Sequence, residues 1–102
     1  MQESLAPGSP VLAFPAEVDM ASAEEVRASL TPLIQAGGSI VIDLSAVTFM
    51  DTTGVHALLQ AAEALAGRGC LIVQGANAEV TRLLAIAGMR SARPNIHIID
   101  PL

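Results

Sequence analysis

The chain has 102 residues, a length that sets a single domain as the expectation. Hydrophobic residues make up 52% of it and Phe14 and Phe49 are the only aromatics, so the core must be built from Leu, Ile, Val, Ala and Met, a mixture better suited to helices on a sheet than to an all-β sandwich. Five basic residues, all arginine (Arg27, Arg68, Arg82, Arg90 and Arg93), stand against ten acidic ones; the formal net charge of -5 argues against nucleic acid and suits a protein partner that presents basic groups.

Met1 to Pro10 is rich in Ser, Pro and Gly and reads as a flexible leader, leaving 11–102 as one folded domain. The leader has no basic n-region and no long apolar stretch, so no signal peptide is expected. No apolar run approaches the roughly 18 residues that span a bilayer, so no membrane insertion is expected either. Val11 to Phe14 predicts a short strand, placed at a sheet edge or ended by Pro15. Glu17 to Met20 predicts a second short strand or a turn. Ser22 and Glu25 have the capping-box spacing, and Ala23, Val26, Leu30, Leu33 and Ile34 continue at helical spacing. Pro32 predicts a kink or an early stop, and Gly37-Gly38 closes the helix.

Ser39 to Leu44 is a continuous apolar run between glycines and a polar turn, the pattern of a strand buried on both faces of a parallel sheet. Ala46 to Met50 reads as a loop or a short extension. Val55, Leu58, Leu59, Ala62 and Leu65 form the stripe of a second helix, ended by Gly67 and Gly69. Cys70 to Val73 is a buried strand and Gly75 to Ala78 a turn. Val80, Leu83, Leu84 and Ala87 mark a third helix closed by Gly88, and Ile96 to Ile99 a last strand. The alternation predicts an α/β sandwich with a mostly parallel central sheet of about four to five strands and helices packed against it.

Asp51-Thr52-Thr53-Gly54 lies between a buried strand and an amphipathic helix. The first N–H groups of a helix have no partner inside it, Asp and Thr side chains accept from them, and the dipole favours negative charge there. Cap preference by itself accounts for the four residues. A phosphate on Thr52 or Thr53 would be stabilised by the same N–H groups, and Gly54 would let a partner approach the backbone. A phosphatase of the haloacid dehalogenase type needs a second Asp two residues after the first, where Thr53 stands. A Gly-rich phosphate loop needs a Lys, and the chain has none.

The run Ile40-Val41-Ile42-Asp43-Leu44-Ser45-Ala46-Val47-Thr48-Phe49-Met50-Asp51-Thr52-Thr53-Gly54-Val55 resembles the core signature of STAS domains of the anti-sigma factor antagonist type. In that family a strand ending in Asp-Leu leads through a short turn to Phe-Met or Phe-Ile, then to Asp-Ser-Ser-Gly or Asp-Ser-Thr-Gly. Asp19-Met20-Ala21-Ser22, Gly69 to Val73 and Val80 to Gly88 are similar to its other segments, so the resemblance covers Val11 to Ile99. It implies a STAS-like sandwich and a cytoplasmic regulatory module rather than an enzyme, with Thr53 as the phosphorylated residue and Thr52 as second choice. It further implies a partner contact through Met50, Asp51, Thr52, Gly54, Val55 and His56. The implied partners are an anti-sigma factor that is also a serine/threonine kinase, and a serine/threonine phosphatase. Threonine in place of the commoner Ser-Ser also occurs in lipid-transport and stressosome-type STAS domains. An unphosphorylated docking subunit of a lipid-transport ABC complex, or a stressosome-type scaffold, is therefore the alternative.

The remaining residues have ordinary readings. Asp43 caps a turn through Ser45. Cys70 is a buried, inert thiol and, as the lone cysteine, fits a reducing compartment. His56 is a surface histidine at the start of a helix. His56, His97 and Cys70 make no metal-ligand spacing, and no cofactor is expected. Met20 and Met89 fill the core or its rim, while Met50 is expected to reach the partner contact partly exposed. Arg82 is solvated, beside Glu79.

Overall fold

The computed structural model describes residues 9–89 and 94–99. Most of the expected leader, residues 1–8, lies outside them, as do Arg90 and Arg93. The elements run β1 (Val11–Ala13), β2 (Glu17–Val18), α1 (Met20–Ala36), β3 (Ile40–Asp43), β4 (Phe49–Met50), α2 (Thr52–Leu65), β5 (Leu71–Gln74), α3 (Ala78–Ile86) and β6 (Ile96–Ile98). Four strands form one sheet in the order β1-β3-β5-β6, with every neighbouring pair parallel. β2 and β4 form a separate parallel ribbon with Glu17 opposite Phe49 and Val18 opposite Met50. The α/β sandwich with a parallel central sheet is thus present, and the region expected to be loop or extension at Ala46 to Met50 contributes one strand of the ribbon.

Side-chain alternation builds the core. Ile40 and Ile42 of β3, Leu71 and Val73 of β5 and Ile96 of β6 lie in one cluster with Val26 and Leu30 of α1, Val55, Leu58 and Leu65 of α2, and Val80 and Leu84 of α3. All three helices therefore share a core with the same face of the sheet. Each fully buried Leu, Ile or Val side chain contributes about 1.5–3 kcal/mol relative to exposure. Val41 and Ile72 alternate to the other face and are buried as well, consistent with central strands that are apolar up to their last residue. Val11, in the same cross-sheet row but on the edge strand β1, is left exposed.

Four local expectations are corrected. The first helix is capped by Asp19 rather than Ser22. Asp19 Oδ1 accepts from the N–H groups of Ala21 and Ser22 (3.0 and 3.2 Å), and Ser22 Oγ accepts from the Asp19 N–H at 3.1 Å. The capping box is thus Asp19 with Ser22, one turn earlier than predicted, because Asp19 directly follows the paired ribbon residue Val18. Met20 consequently falls on the first helical position and is 80% exposed, neither core nor rim. Pro32 does not end α1, which runs on to Ala36; Pro32 is exposed, and one residue earlier Thr31 Oγ1 donates to the Arg27 carbonyl at 2.9 Å. Cys70 is half-buried rather than buried and lies 3.3 Å from Ser39 Oγ.

The end of the sheet where β3 and β5 begin is closed by backbone contact. The Gly38 N–H donates to the Arg68 carbonyl and the Ile40 N–H to the Cys70 carbonyl, both at 2.9 Å. A Cβ on Gly69 would lie 2.0 Å from the Gly38 carbonyl oxygen. Asn95 Nδ2 ties the same corner by donating to the carbonyls of Ala62 and Gly69 at 2.9 and 3.1 Å. Since backbone cannot move aside as a flexible side chain does, Gly69→Ala is expected to cost about 3 kcal/mol or more, the upper range for overpacking. Urea unfolding of the variant beside wild type measures this, and Gly67→Ala, whose Cβ meets open space but whose φ is +79°, is expected to cost less.

Candidate functional site

The Asp51-Thr52-Thr53-Gly54 segment is carried by the ribbon. At the C-terminal end of β3, Asp43 Oδ1 accepts from the Ser45 N–H at 2.9 Å, the expected turn cap. That backbone hydrogen bond holds the Asp43 carboxyl below the usual carboxylate range. Asn77 fixes the next stretch. Its side chain caps α3 by accepting from the Val80 N–H at 2.8 Å and donates to the Val47 carbonyl at 3.1 Å. The chain then joins β2: Thr48 and Phe49 donate their N–H groups to the Ala16 carbonyl, and Asp51 donates its own to Val18 at 3.1 Å.

Asp51 is the N-cap of α2. Its Oδ1 accepts from the Thr53 N–H at 2.9 Å and from the Thr53 hydroxyl at 2.5 Å. Its carbonyl takes the N–H of Gly54 at 3.1 Å. The Thr53 hydroxyl bond is the main cause that pulls the Asp51 carboxyl below the ordinary value. The first-turn N–H groups expected to be open to a phosphate are therefore partly satisfied by Asp51 in this state. Thr53 is half-buried and Thr52 exposed, while His56 lies exposed one turn into α2.

Three residues expected to meet a partner do not reach the surface. Met50, Gly54 and Val55 are buried. A Cβ on Gly54 would lie 2.7 Å from Met50 Cγ and 2.8 Å from Val18 Cγ1. With no side chain at Gly54, α2 sits directly on the ribbon. Met50 is buried because β4 alternates: Met50 pairs with buried Val18 on the inner face, and Phe49 pairs with Glu17 on the outer face and is 50% exposed. Phe49 was not singled out as a site residue. In a strand of two residues the sequence carries no signal for which side chain points in.

The distribution of charge is uneven. Glu17, Asp19 and Asp51 stand at the ends of the ribbon where α1 and α2 begin. Arg68 lies past the far end of α2 and donates to the Ile34 carbonyl at 2.7 Å, and Arg27 donates to Gln60 across the α1–α2 groove at 3.2 Å. Among the described residues no group of three His, Cys, Asp or Glu is placed to hold a metal ion, and no helix is long and apolar enough to cross a membrane. The hydroxyl at the site is held by a carboxylate.

The chain is a small α/β domain with a parallel sheet, helices on one face and a half-buried hydroxyl at the start of α2. The sequence profile of the STAS domain matches residues 5–97, and the chain belongs to that family. No curated protein sequence matches it. Among solved structures it is similar to the anti-sigma factor antagonist SpoIIAA in its unphosphorylated form, at 20% identity and a TM-score of 0.71, over 97% of this chain and 87% of that one. It is also similar to the Bacillus cell fate determinant SpoIIAA in the phosphorylated form, at 19% identity and 0.65, over 97% and 90%. The STAS domain of a SulP transporter from Vibrio cholerae matches at 23% identity and 0.65, over 92% and 76%. At these identities the likeness is one of fold.

Two outcomes follow from this geometry. Gly54→Ala should destabilise by about 1–3 kcal/mol through overpacking, and a double-mutant cycle with Val18→Ala should return a coupling of about 1 kcal/mol, since the smaller side chain makes room for the new methyl. Asp51 and Asp43, both held below their ordinary pKa of 3.8, stabilise the fold above that value, and the contribution is lost as pH falls through the folded pKa. In that window the unfolded chain binds more protons. A plot of Tm against pH for Asp51→Asn, which keeps a good N-cap, should fall less steeply on the acid side than wild type while retaining the part due to Asp43.

Proposed function

We propose that the chain is an anti-sigma factor antagonist: a cytoplasmic, non-catalytic module that binds an anti-sigma factor and is switched off by phosphorylation of Thr53. The observation that carries the reading is the Thr53 hydroxyl at the second position of α2, donating to Asp51 Oδ1 beside exposed Thr52 and His56. The existence of SpoIIAA, of the same fold, in phosphorylated and unphosphorylated forms supports it.

In the switching step an anti-sigma factor that is also a kinase transfers the γ-phosphoryl group of ATP to Thr53 Oγ1. The P–O bond to ADP breaks, the new P–O bond forms, and the hydroxyl proton leaves to a base on the kinase. Asp51 orients the hydroxyl by accepting its hydrogen bond. The product carries about −1.5 to −2 charge next to the Asp51 carboxylate. The phosphate competes with Asp51 for the N–H groups of the first turn, where the dipole stabilises it, and it adds repulsion and desolvation cost to any surface seated there. A serine/threonine phosphatase resets the switch by hydrolysis.

A second reading is favoured by the likeness to the transporter STAS domain: the same end of the molecule docks a transport complex, of the SulP or lipid-transport ABC kind, or a stressosome-type scaffold, without phosphorylation. Site-mapped intact-mass spectrometry of the protein from its native cells separates the two. Phosphate on Thr53 is expected, absent in Thr53→Ala, which keeps binding the anti-sigma factor. Thr53→Glu should weaken that binding, by less than phosphate because it carries less charge. An unmodified Thr53 under growth and stress alike would instead establish the docking reading.

A further inference from the structure

Five large hydrophobic side chains are exposed among the described residues. Val11 lies on the edge strand β1, Ile99 directly follows β6 and Ile86 ends α3, whereas Phe49 lies on β4 of the ribbon and Met20 opens α1, two residues past β2. Of the two phenylalanines in the chain, Phe14 is buried and Phe49 is 50% exposed. An aromatic left in water forgoes the largest burial gain available to this chain, and rigid aromatics are the side chains that anchor interfaces.

The surroundings of Phe49 indicate what it meets. Glu17 is its cross-strand partner on the same outer face, and Asp19 and Asp51 cap the helices that leave the ribbon. A cleft of about 160 Å³ beside it is lined by Phe49, Thr48, Met50, Val80 and the carboxylate-bearing Glu79. Apolar walls with one acid suit the stem and head of a lysine or arginine. Of the three arginines among the described residues, Arg27 and Arg68 are engaged elsewhere, and Arg82 is one helical turn beyond Glu79. A second copy of this chain would bring acid against acid.

We propose that Phe49 and Met20, framed by Glu17, Asp19 and Glu79, are the anchor by which the kinase partner recognises this chain, fitting a protein surface with an apolar socket rimmed by basic side chains. This rests on the phospho-switch reading and adds to it a division of labour. Thr53 and Asp51 receive the chemistry, while the ribbon's outer face supplies recognition that the reacting group does not.

The test uses the full-length chain as substrate for the ATP-dependent kinase that modifies Thr53, purified from the native cells, with site-mapped mass spectrometry as readout. Phe49→Ala and Met20→Gln are both exposed positions, and thermal melts verify that each variant folds. Each is expected to raise KM by about tenfold or more with kcat within about twofold, while Ile86→Ala, equally apolar and exposed, leaves KM unchanged. Raising salt should increase the wild-type KM, as charge complementarity requires. An unchanged KM in folded Phe49→Ala and Met20→Gln overturns the anchor and leaves the switch standing, as does a chain whose dimer, rather than its KM, is lost in Phe49→Ala. A wild-type chain that no kinase modifies overturns the switch and the anchor together.

Discussion

The carboxylate and backbone of Asp51 hold the functional end of this molecule together. Its N–H ties the residue to Val18 in the ribbon, its carbonyl begins the hydrogen-bond ladder of α2, and its side chain holds both the amide and the hydroxyl of Thr53. Five hydrogen bonds at one residue define where the helix starts, which way it leaves and where the hydroxyl points. A cap of this kind contributes on the order of 1 kcal/mol to stability, a minor share beside the core. Its importance is positional: the group that receives phosphate in the proposed switch is held by the group that phosphate would displace.

Beneath that cap, Gly54 is the condition that lets it form. With no side chain at the third helical position, α2 rests directly on Met50 and Val18, and the ribbon and the helix become one unit. Val18 and Met50 point into the core as Glu17 and Phe49 point out. Because inner and outer residues alternate on two short paired strands, the packing beneath α2 also fixes which ribbon side chains stay exposed.

The opposite end of the sheet is held by different means. Gly38 and Gly69 meet backbone to backbone, and Asn95 satisfies two carbonyls left open by the close turn. The arginine beyond α2 is also placed there, bonded to the end of α1. The acidic caps Asp19 and Asp51 sit at the N-termini of their helices, where the dipole favours them, and Arg68 lies near a C-terminal carbonyl for the complementary reason. A polarised molecule results, with backbone closure at one end of the sheet and acidic helix caps at the other.

The alternation of the main strands and helices, the buried β3 and β5, the Asp43 turn and a helix start capped by the Asp51-Thr52-Thr53 segment were legible in the sequence, because apolar period and cap chemistry are local properties of the chain. The STAS resemblance, too, rests on a contiguous run of residues, and the match over residues 5–97 bears it out. What the sequence could not decide were choices made by neighbours distant along it. Ser22 and Asp19 are both competent caps, and the pairing of Val18 with Met50 selected Asp19. Thr48-Phe49-Met50 contains too short a strand for period two to say that Met50 turns in and Phe49 out. Gly54 reads as an opening to solvent until Val18, far away in the chain, is found packed over it. Local propensity determined the elements, and long-range packing determined which of their residues are surface and which are support.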